Sequence, residues 1–156
     1  MAEQPLGSYE LIVLMGLAFR SMIDDLQARL GGAGFSDVRP GHGFAFQLLS
    51  FKSASVNELA EHLGVTKQAA SQMVEYLEQR HYVIRQSDPD DKRSKVVTLT
   101  AKGWACIKMA EDILADMEKQ LTGQLGPTAI GELSNILRSL VYQRQGGEIL
   151  RLRPIW

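Results

Sequence analysis

Two short polar stretches carry the residue types that could do chemistry in this sequence. TKQAASQ (66–72) holds five hydrogen-bonding side chains and no acidic residue: Thr66, Lys67, Gln68, Ser71 and Gln72. SDPDDKRSK (87–95) crowds three aspartates around a proline and adds three bases: Lys92, Arg93 and Lys95. Such groups recognise polar partners through hydrogen bonds and charge. The chemistry that they suggest is therefore binding.

The residue types needed for catalysis or metal binding do not converge. His42, His62 and His81 fall into no metal-ligand spacing, and there is no second cysteine besides Cys106. Phosphate-binding glycine loops, dinucleotide fingerprints and a Ser-His-Asp order are missing from the sequence. We therefore predict a protein that is not an enzyme and carries no metal and no cofactor. His62 is predicted to lie on the outer face of a helix.

Cys106 has potential as a redox switch, because oxidation would add polarity inside a packed helix. Lys102, one helical turn earlier, is the local base that could lower the pKa of the thiol. The simpler interpretation, which we favour, is a small core residue. Trp104 is also expected in the core, although a ligand pocket beside it would fit as well.

Length and composition fit one globular domain over residues 1–156. The formal net charge is −1, so any nucleic-acid function must depend on local charge. The apolar run from Leu11 to Phe19 has nine residues, against about 20 for a bilayer span, and no base precedes it. The single cysteine of the chain fits a protein of a reducing compartment. We expect a cytoplasmic protein without a membrane segment.

Apolar periodicity predicts a long first helix over residues 6–30. Its apolar stripe is so wide that it must be covered on more than one side, which we interpret as a subunit interface rather than a core position. Glycines and a proline predict a loop over 31–43, before a short helix over 44–51.

The last third of the chain is predicted to hold two more helices. A linking helix over 101–121 follows the Thr100 cap, and the final helix runs over about 128–142. We assign residues 122–156 to dimerisation, with Trp156 docked on the protein.

Residues 55–80 have the pattern of two short helices joined by a tight turn. Ser55 and Glu58 form a capping box, Gly64 ends the first helix, and Thr66 caps the second. This is a helix-turn-helix. Val65 is expected to plug the turn.

A β-hairpin follows, with strands over 83–86 and 95–99 and a turn rich in aspartate. Asp91 lies two residues before Arg93, close enough for its carboxylate to hold the guanidinium in one orientation. The alternative is a solubilising turn whose ion pair contributes little.

The helix-turn-helix and the hairpin together favour binding to double-stranded DNA. Glutamine can pair with adenine in the major groove, and hydroxyls can reach bases or phosphates. A fixed Arg93 could enter the minor groove, with Lys92 and Lys95 on flanking phosphates. The polar helix alone would favour an ordinary solvated face, but the attached hairpin makes binding to DNA the better interpretation.

Residues 55–103 resemble the winged helix of the MarR family of bacterial transcriptional regulators. The most specific piece is DDKRSKVVTLTAKG, which matches the family's wing pattern at Asp91, Arg93, Leu99, Thr100 and Gly103. The resemblance implies a homodimer with interlocked first and last helices, recognition helices in successive major grooves, and a ligand that shifts their spacing.

The fold class that we predict is mainly α with a small β-hairpin wing, in which a winged helix-turn-helix over 44–100 is flanked by N- and C-terminal dimerisation helices. The predicted function is a homodimeric repressor of a pseudo-palindromic operator in double-stranded DNA, released by a small molecule of unknown identity. Candidate pocket residues are His42, Phe46 and Trp104. The alternative is a protein–protein adaptor that uses a winged helix without DNA, which the near-neutral charge supports. Neither the operator nor the effector follows from the sequence.

Overall fold

The computed structural model describes residues 9–143 of the chain. Trp156 and the end of the predicted dimerisation segment, 144–156, lie outside the described residues. The prediction of a mainly α fold with a two-stranded antiparallel hairpin is confirmed. The elements in chain order are α1 Glu10–Leu30, α2 Pro40–Phe51, α3 Val56–Leu63, α4 Lys67–Gln79, β1 Val83–Ser87, β2 Lys95–Leu99, α5 Ala101–Leu125 and α6 Pro127–Gln143.

The segment predicted as a loop over 31–43 is largely helical. α1 continues into a π-helical turn over Gly31–Phe35, where Gly34 takes the left-handed φ of 97°. α2 begins at Pro40, whose ring fixes φ at a helical value and whose missing N–H costs nothing in a first turn. The ring of His42 then accepts a hydrogen bond from the Arg39 backbone N–H at 3.0 Å, which satisfies a free donor at the helix start.

α3 and α4 form the helix-turn-helix through local caps. The Ser55 backbone N–H donates to Glu58 at 2.8 Å, while the Glu58 N–H donates back to the Ser55 hydroxyl at 3.2 Å. Gly64 ends α3 with a left-handed φ of 67°. Two expectations were wrong: Val65 is 38% exposed and does not plug the turn, and His62 is buried rather than on the outer face.

The wing is attached at its base to the segment before α3. β1 and β2 pair antiparallel, with Arg85 opposite Val97. Val97 also exchanges two backbone hydrogen bonds with Ala54, at 2.8 and 3.2 Å. These bonds give β2 a partner on both sides, so the hairpin leaves the body from a fixed base.

α5 begins where the wing ends, at the Thr100 cap. The Thr100 hydroxyl accepts from the Gly103 N–H at 3.1 Å and lies 3.1 Å from the Tyr82 carbonyl. α5 extends to Leu125, four residues beyond the predicted end, and stops at Gly126 with φ 83°.

The core is centred on Tyr82, which is fully buried. Buried core residues come from α1 to α5 and from both strands, and include Leu30, Phe46, Leu59, Leu77, Val97 and Cys106. By contrast, α1 and α6 keep large apolar side chains exposed in the single chain, such as Leu17 and Ile136 at 58% each. Within residues 9–143, no helix is long and apolar enough to cross a membrane.

Candidate nucleic-acid interface

The polar face of α4 is presented to solvent. Its inner side is anchored by Ala70, Val74 and Leu77, which are all at most 3% exposed. On the other side, the four residues Thr66, Lys67, Gln68 and Gln72 are exposed, whereas Ser71 is half-buried. In the part of the chain that the structure describes, no hydrogen bond or ion pair occupies the side chains of Lys67, Gln68 and Gln72, whereas Thr66 caps the helix through Ala69 at 3.1 Å. The face is therefore available to an external partner.

The aspartates of the wing tip fold the turn through the backbone. Asp88 accepts from the Asp90 N–H at 2.9 Å, and Asp91 accepts from the Arg93 N–H at 3.0 Å. These are Asx turns, in which a short carboxylate caps an amide two residues ahead. The predicted brace between the Asp91 carboxylate and the Arg93 guanidinium does not form; the carboxylate accepts from the backbone N–H of Arg93 instead.

The three bases of the wing are exposed beside this acidic turn. Lys92, Arg93 and Lys95 are all open to solvent. Lys95 makes a long contact with the Ser87 hydroxyl at 3.4 Å, and within residues 9–143 no carboxylate forms an ion pair with any of the three. The mixed charges thus divide their roles: the acids shape the turn, and the bases remain free for an anion.

One arginine on β1, which the sequence pattern did not single out, joins the wing to α4. The Glu78 carboxylate accepts from both the Arg85 backbone N–H at 2.8 Å and the Arg85 guanidinium at 3.0 Å. The other end of the guanidinium donates to the Ser71 carbonyl at 3.3 Å. We call these three residues the wing clamp. Opposite charges seven positions apart on two elements were the only signal available in the sequence.

A second polar cluster ties the α1–α2 connection to the end of α4. The Asp37 carboxylate accepts from the Tyr82 hydroxyl at 2.6 Å, and the Asp37 carbonyl accepts from the Tyr76 hydroxyl at 2.8 Å. Burial opposes ionisation of Asp37, but hydrogen bonds from Tyr82 and from the backbone, with Lys102 and Arg80 nearby, lower its pKa. The Arg80 guanidinium also lies 3.5 Å from the Tyr76 ring centre.

An apolar cavity of about 430 Å³ lies between α1, α2 and α5. Of the three predicted pocket residues, Phe46 lines it, but His42 and Trp104 do not. His42 instead packs on the Tyr76 ring, with centroids 5.0 Å apart, and Trp104 is 48% exposed rather than in the core. Lining residues missed from the sequence include Leu26, Leu30, Val38, Arg39 and Ile107.

Cys106 lies in the wall of this cavity and is 2% exposed. Burial raises the pKa of its thiol to about 11, the Asp37 charge adds to this, and Lys102 opposes it only weakly. A redox-sensing thiol needs a lowered pKa and access. The structure therefore places Cys106 as a core and cavity residue, against the redox interpretation. Between residues 9 and 143, no cluster of three potential metal ligands occurs.

Comparison with known proteins agrees with this geometry. Residues 42–94 match the model described as MarR family, a range that holds α2 from its third residue, the helix-turn-helix, β1 and the turn of the wing. The chain is similar to the transcriptional regulator Tm0710 from Thermotoga maritima, with TM-score 0.64, 24% identity, and 87% of this chain and 95% of that one covered.

Two further solved structures share the fold over most of their length. The reduced form of MarR from E. coli has TM-score 0.69 at 23% identity, covering 90% of this chain and 99% of that one. The transcriptional repressor CouR, bound to a 23-mer DNA duplex, has TM-score 0.69 at 24% identity, covering 89% and 99%. With its helix-turn-helix and its wing, the chain has the winged-helix fold of these structures, and its residues 42–94 match the MarR family model.

Proposed function

We propose that this protein is a homodimeric transcriptional regulator that binds double-stranded DNA at a pseudo-palindromic site. The observation that carries the proposal is the pairing of two unoccupied polar surfaces, the outer face of α4 and the basic wing tip. Gln68 and its neighbours on α4 would read base edges in the major groove. Arg93 would enter the minor groove, and Lys92 and Lys95 would contact phosphates.

The comparison with CouR supports the DNA partner, since that repressor of the same fold is solved on a DNA duplex. The near-neutral net charge does not oppose it, because the three wing bases lack carboxylate partners in the described chain. Exposed apolar residues on α1 and α6 support a dimer. Two-fold symmetry then sets half-sites about 10 base pairs apart.

We further propose that the output is repression, relieved by a small molecule. A dimer across two adjacent half-sites would exclude RNA polymerase from an overlapping promoter. The cavity between α1, α2 and α5 supports an effector, because its wall includes helices of both the DNA-binding and the terminal parts. Such a ligand shifts DNA binding only by preferring one arrangement of the protein.

The test is selection of duplexes from a random pool by the purified protein, followed by anisotropy titrations on a selected and a scrambled duplex. We expect Gln68→Ala to cost about 1–3 kcal/mol on the selected duplex and less on the scrambled one. Arg93→Ala should weaken binding without changing the fold or the dimer. Gln79→Ala, exposed at the far end of the same helix, is the matched control and should bind as wild type.

A salt series on the wild type separates DNA binding from the adaptor alternative. If the wing and α4 neutralise phosphates, log affinity falls linearly with log salt. If no duplex is enriched, or if Gln68→Ala loses equally on both duplexes, sequence-specific recognition by α4 is rejected.

A further inference from the structure

The wing clamp has a geometry that ordinary surface ion pairs lack. The carboxylate of Glu78 holds the backbone and the side chain of Arg85 together, so both ends of this residue are fixed to the last turn of α4. The guanidinium also reaches the Ser71 carbonyl, seven residues earlier on the same helix. One side chain of β1 is therefore tied to α4 at two points along the helix axis.

The clamp is partly shielded from solvent. The side chains of Arg85 and Glu78 are 31% and 34% exposed, and β2 holds Arg85 in register opposite the buried Val97. Two charge-assisted hydrogen bonds donated to one carboxylate are stronger and more directional than a single surface contact. The wing clamp consequently fixes the orientation of the wing relative to α4 as well as its position.

A small change in the angle of the wing at its base produces a larger displacement of its tip. Arg93 lies four residues from Val97, the residue opposite Arg85, so at about 3.3 Å per residue it is at most about 13 Å from the base. A rotation of about 10° at the base would move Arg93 by about 2 Å, roughly a third of the 6 Å width of the minor groove. Arg93 can thus be useful only if the angle between wing and α4 is held.

From this we infer that Glu78 and Arg85 are positioning residues for DNA binding, which set the angle of the wing so that Arg93 and the α4 face meet one duplex together. This inference rests on the proposed function. Neither residue needs to touch DNA. The inference adds Glu78 and Arg85, which connect α4 to the wing, to the functional residues on the α4 face and the wing tip.

The test is a double-mutant cycle between two residues that do not touch. Glu78→Gln keeps the shape of the side chain but loses the ionic hold on Arg85. Affinity for a duplex selected from a random pool should fall about ten-fold, and Arg93→Ala made in that background should then cost less than a third of its cost in the wild type. Coupling between separated sites of this kind marks a shared geometry.

An effect of charge alone would change the DNA affinity of Glu78→Gln in the opposite direction. Removing a carboxylate near DNA reduces repulsion from phosphates, so an uninvolved glutamate should bind more tightly or equally when neutralised. Glu75→Gln, an exposed glutamate three residues earlier on α4, makes the same charge change and is the matched control. We expect it to keep wild-type affinity or exceed it, and to keep the full cost of Arg93→Ala.

Arg85→Lys distinguishes positioning from direct phosphate contact. Lysine keeps the positive charge but cannot hold Glu78 and Ser71 as a planar fork does. Positioning predicts a loss similar to Glu78→Gln with an unchanged salt slope. Near wild-type affinity for Arg85→Lys would instead assign Arg85 to phosphate binding and overturn the inference.

Circular dichroism and light scattering verify that each variant keeps its fold and its assembly state. If Arg93→Ala costs the same in the wild type and in Glu78→Gln, the positioning role is rejected while DNA binding by the wing stands. If Arg93→Ala costs nothing in the wild type, the proposed role of the wing fails, and this inference fails with it.

Discussion

At the scale of single residues, His42 is a histidine that folding keeps uncharged. It is 8% exposed and packs against Tyr76. Burial is the main cause that lowers its pKa to about 4, and the charges of Arg39 and Arg80 add to it, while Asp37 opposes them. An unfolded histidine titrates near 6.5. Between about pH 6.5 and 4 the unfolded state therefore binds more protons, and stability falls as the pH falls.

We expect His42→Gln to flatten this pH dependence. Glutamine can still accept from the Arg39 N–H but cannot take up a proton. The wild type should therefore lose up to roughly 3 kcal/mol of unfolding free energy between pH 7 and pH 4 through His42, and the variant should not. Urea unfolding at pH 7, 5.5 and 4.5, at one protein concentration, measures it. Parallel profiles for wild type and His42→Gln would contradict the prediction.

The exposure of the polar side chains on α4 was predictable from the sequence, whereas the partner of Asp91 was not. Helical periodicity placed Lys67, Gln68 and Gln72 outward, since Ala70 and Val74 had to face the core. Asp91 was different, because the amide and the guanidinium of Arg93 both lie within its reach. The choice between them depends on the turn backbone, which local residue types alone do not determine.

At the scale of elements, the sequence predicted what local chemistry decides. The caps at Ser55, Gly64 and Thr66 and the alternation in the wing act within a few residues, so α3, α4 and the hairpin were recognised. The start of α2 was missed because glycines on both sides of His42 are typical of loops. There the Pro40 first turn and tertiary packing of His42 on Tyr76 outweigh the low helix propensity of glycine.

Gly103 shows how closely the wing, the end of the helix-turn-helix and α5 are packed. A Cβ at this position would lie 2.4 Å from the Tyr82 carbonyl oxygen and 2.9 Å from a Leu99 methyl group. The carbonyl is backbone and cannot turn away. We expect Gly103→Ala to destabilise the fold by about 1–3 kcal/mol, although alanine favours a helix interior by about 1 kcal/mol over glycine.

Gly123→Ala is the matched control for this prediction. It lies in the same helix, and a Cβ there would meet nothing within 4 Å, so only the gain in helix propensity remains. Urea unfolding at one protein concentration should show opposite signs for the two alanines. Equal shifts would mean that the junction relaxes around the methyl group without cost.

At the scale of the whole molecule, net charge was a poor guide to surface chemistry. The chain carries 17 bases and 18 acids, yet several acids are engaged by neighbouring groups, as Glu78 is by Arg85 and Asp116 by Arg29 at 2.7 Å. The wing bases have no such partners among residues 9–143. Which charges remain available depends on tertiary contacts, and composition does not contain them.

The uncovered faces of α1 and α6 are the largest feature that a single chain leaves unexplained. Soluble proteins rarely leave so many large apolar side chains in contact with water, and a second copy would cover them. Leu17 and Ile136, each 58% exposed, test this idea. In a monomer, Leu17→Asp and Ile136→Asp would be almost neutral, whereas in a dimer they would bury an unpaired carboxylate.

We therefore expect each substitution to raise the dimer dissociation constant by at least about 100-fold, since burial of an unpaired charge costs several kcal/mol. Sedimentation equilibrium over a wide concentration range measures the constant. Asn57→Asp adds the same charge on the exposed side of α3, away from both helices, and should leave the assembly unchanged. A monomeric wild type, or dimers unaffected by both aspartates, would remove the two-fold symmetry from which the spacing of half-sites was argued.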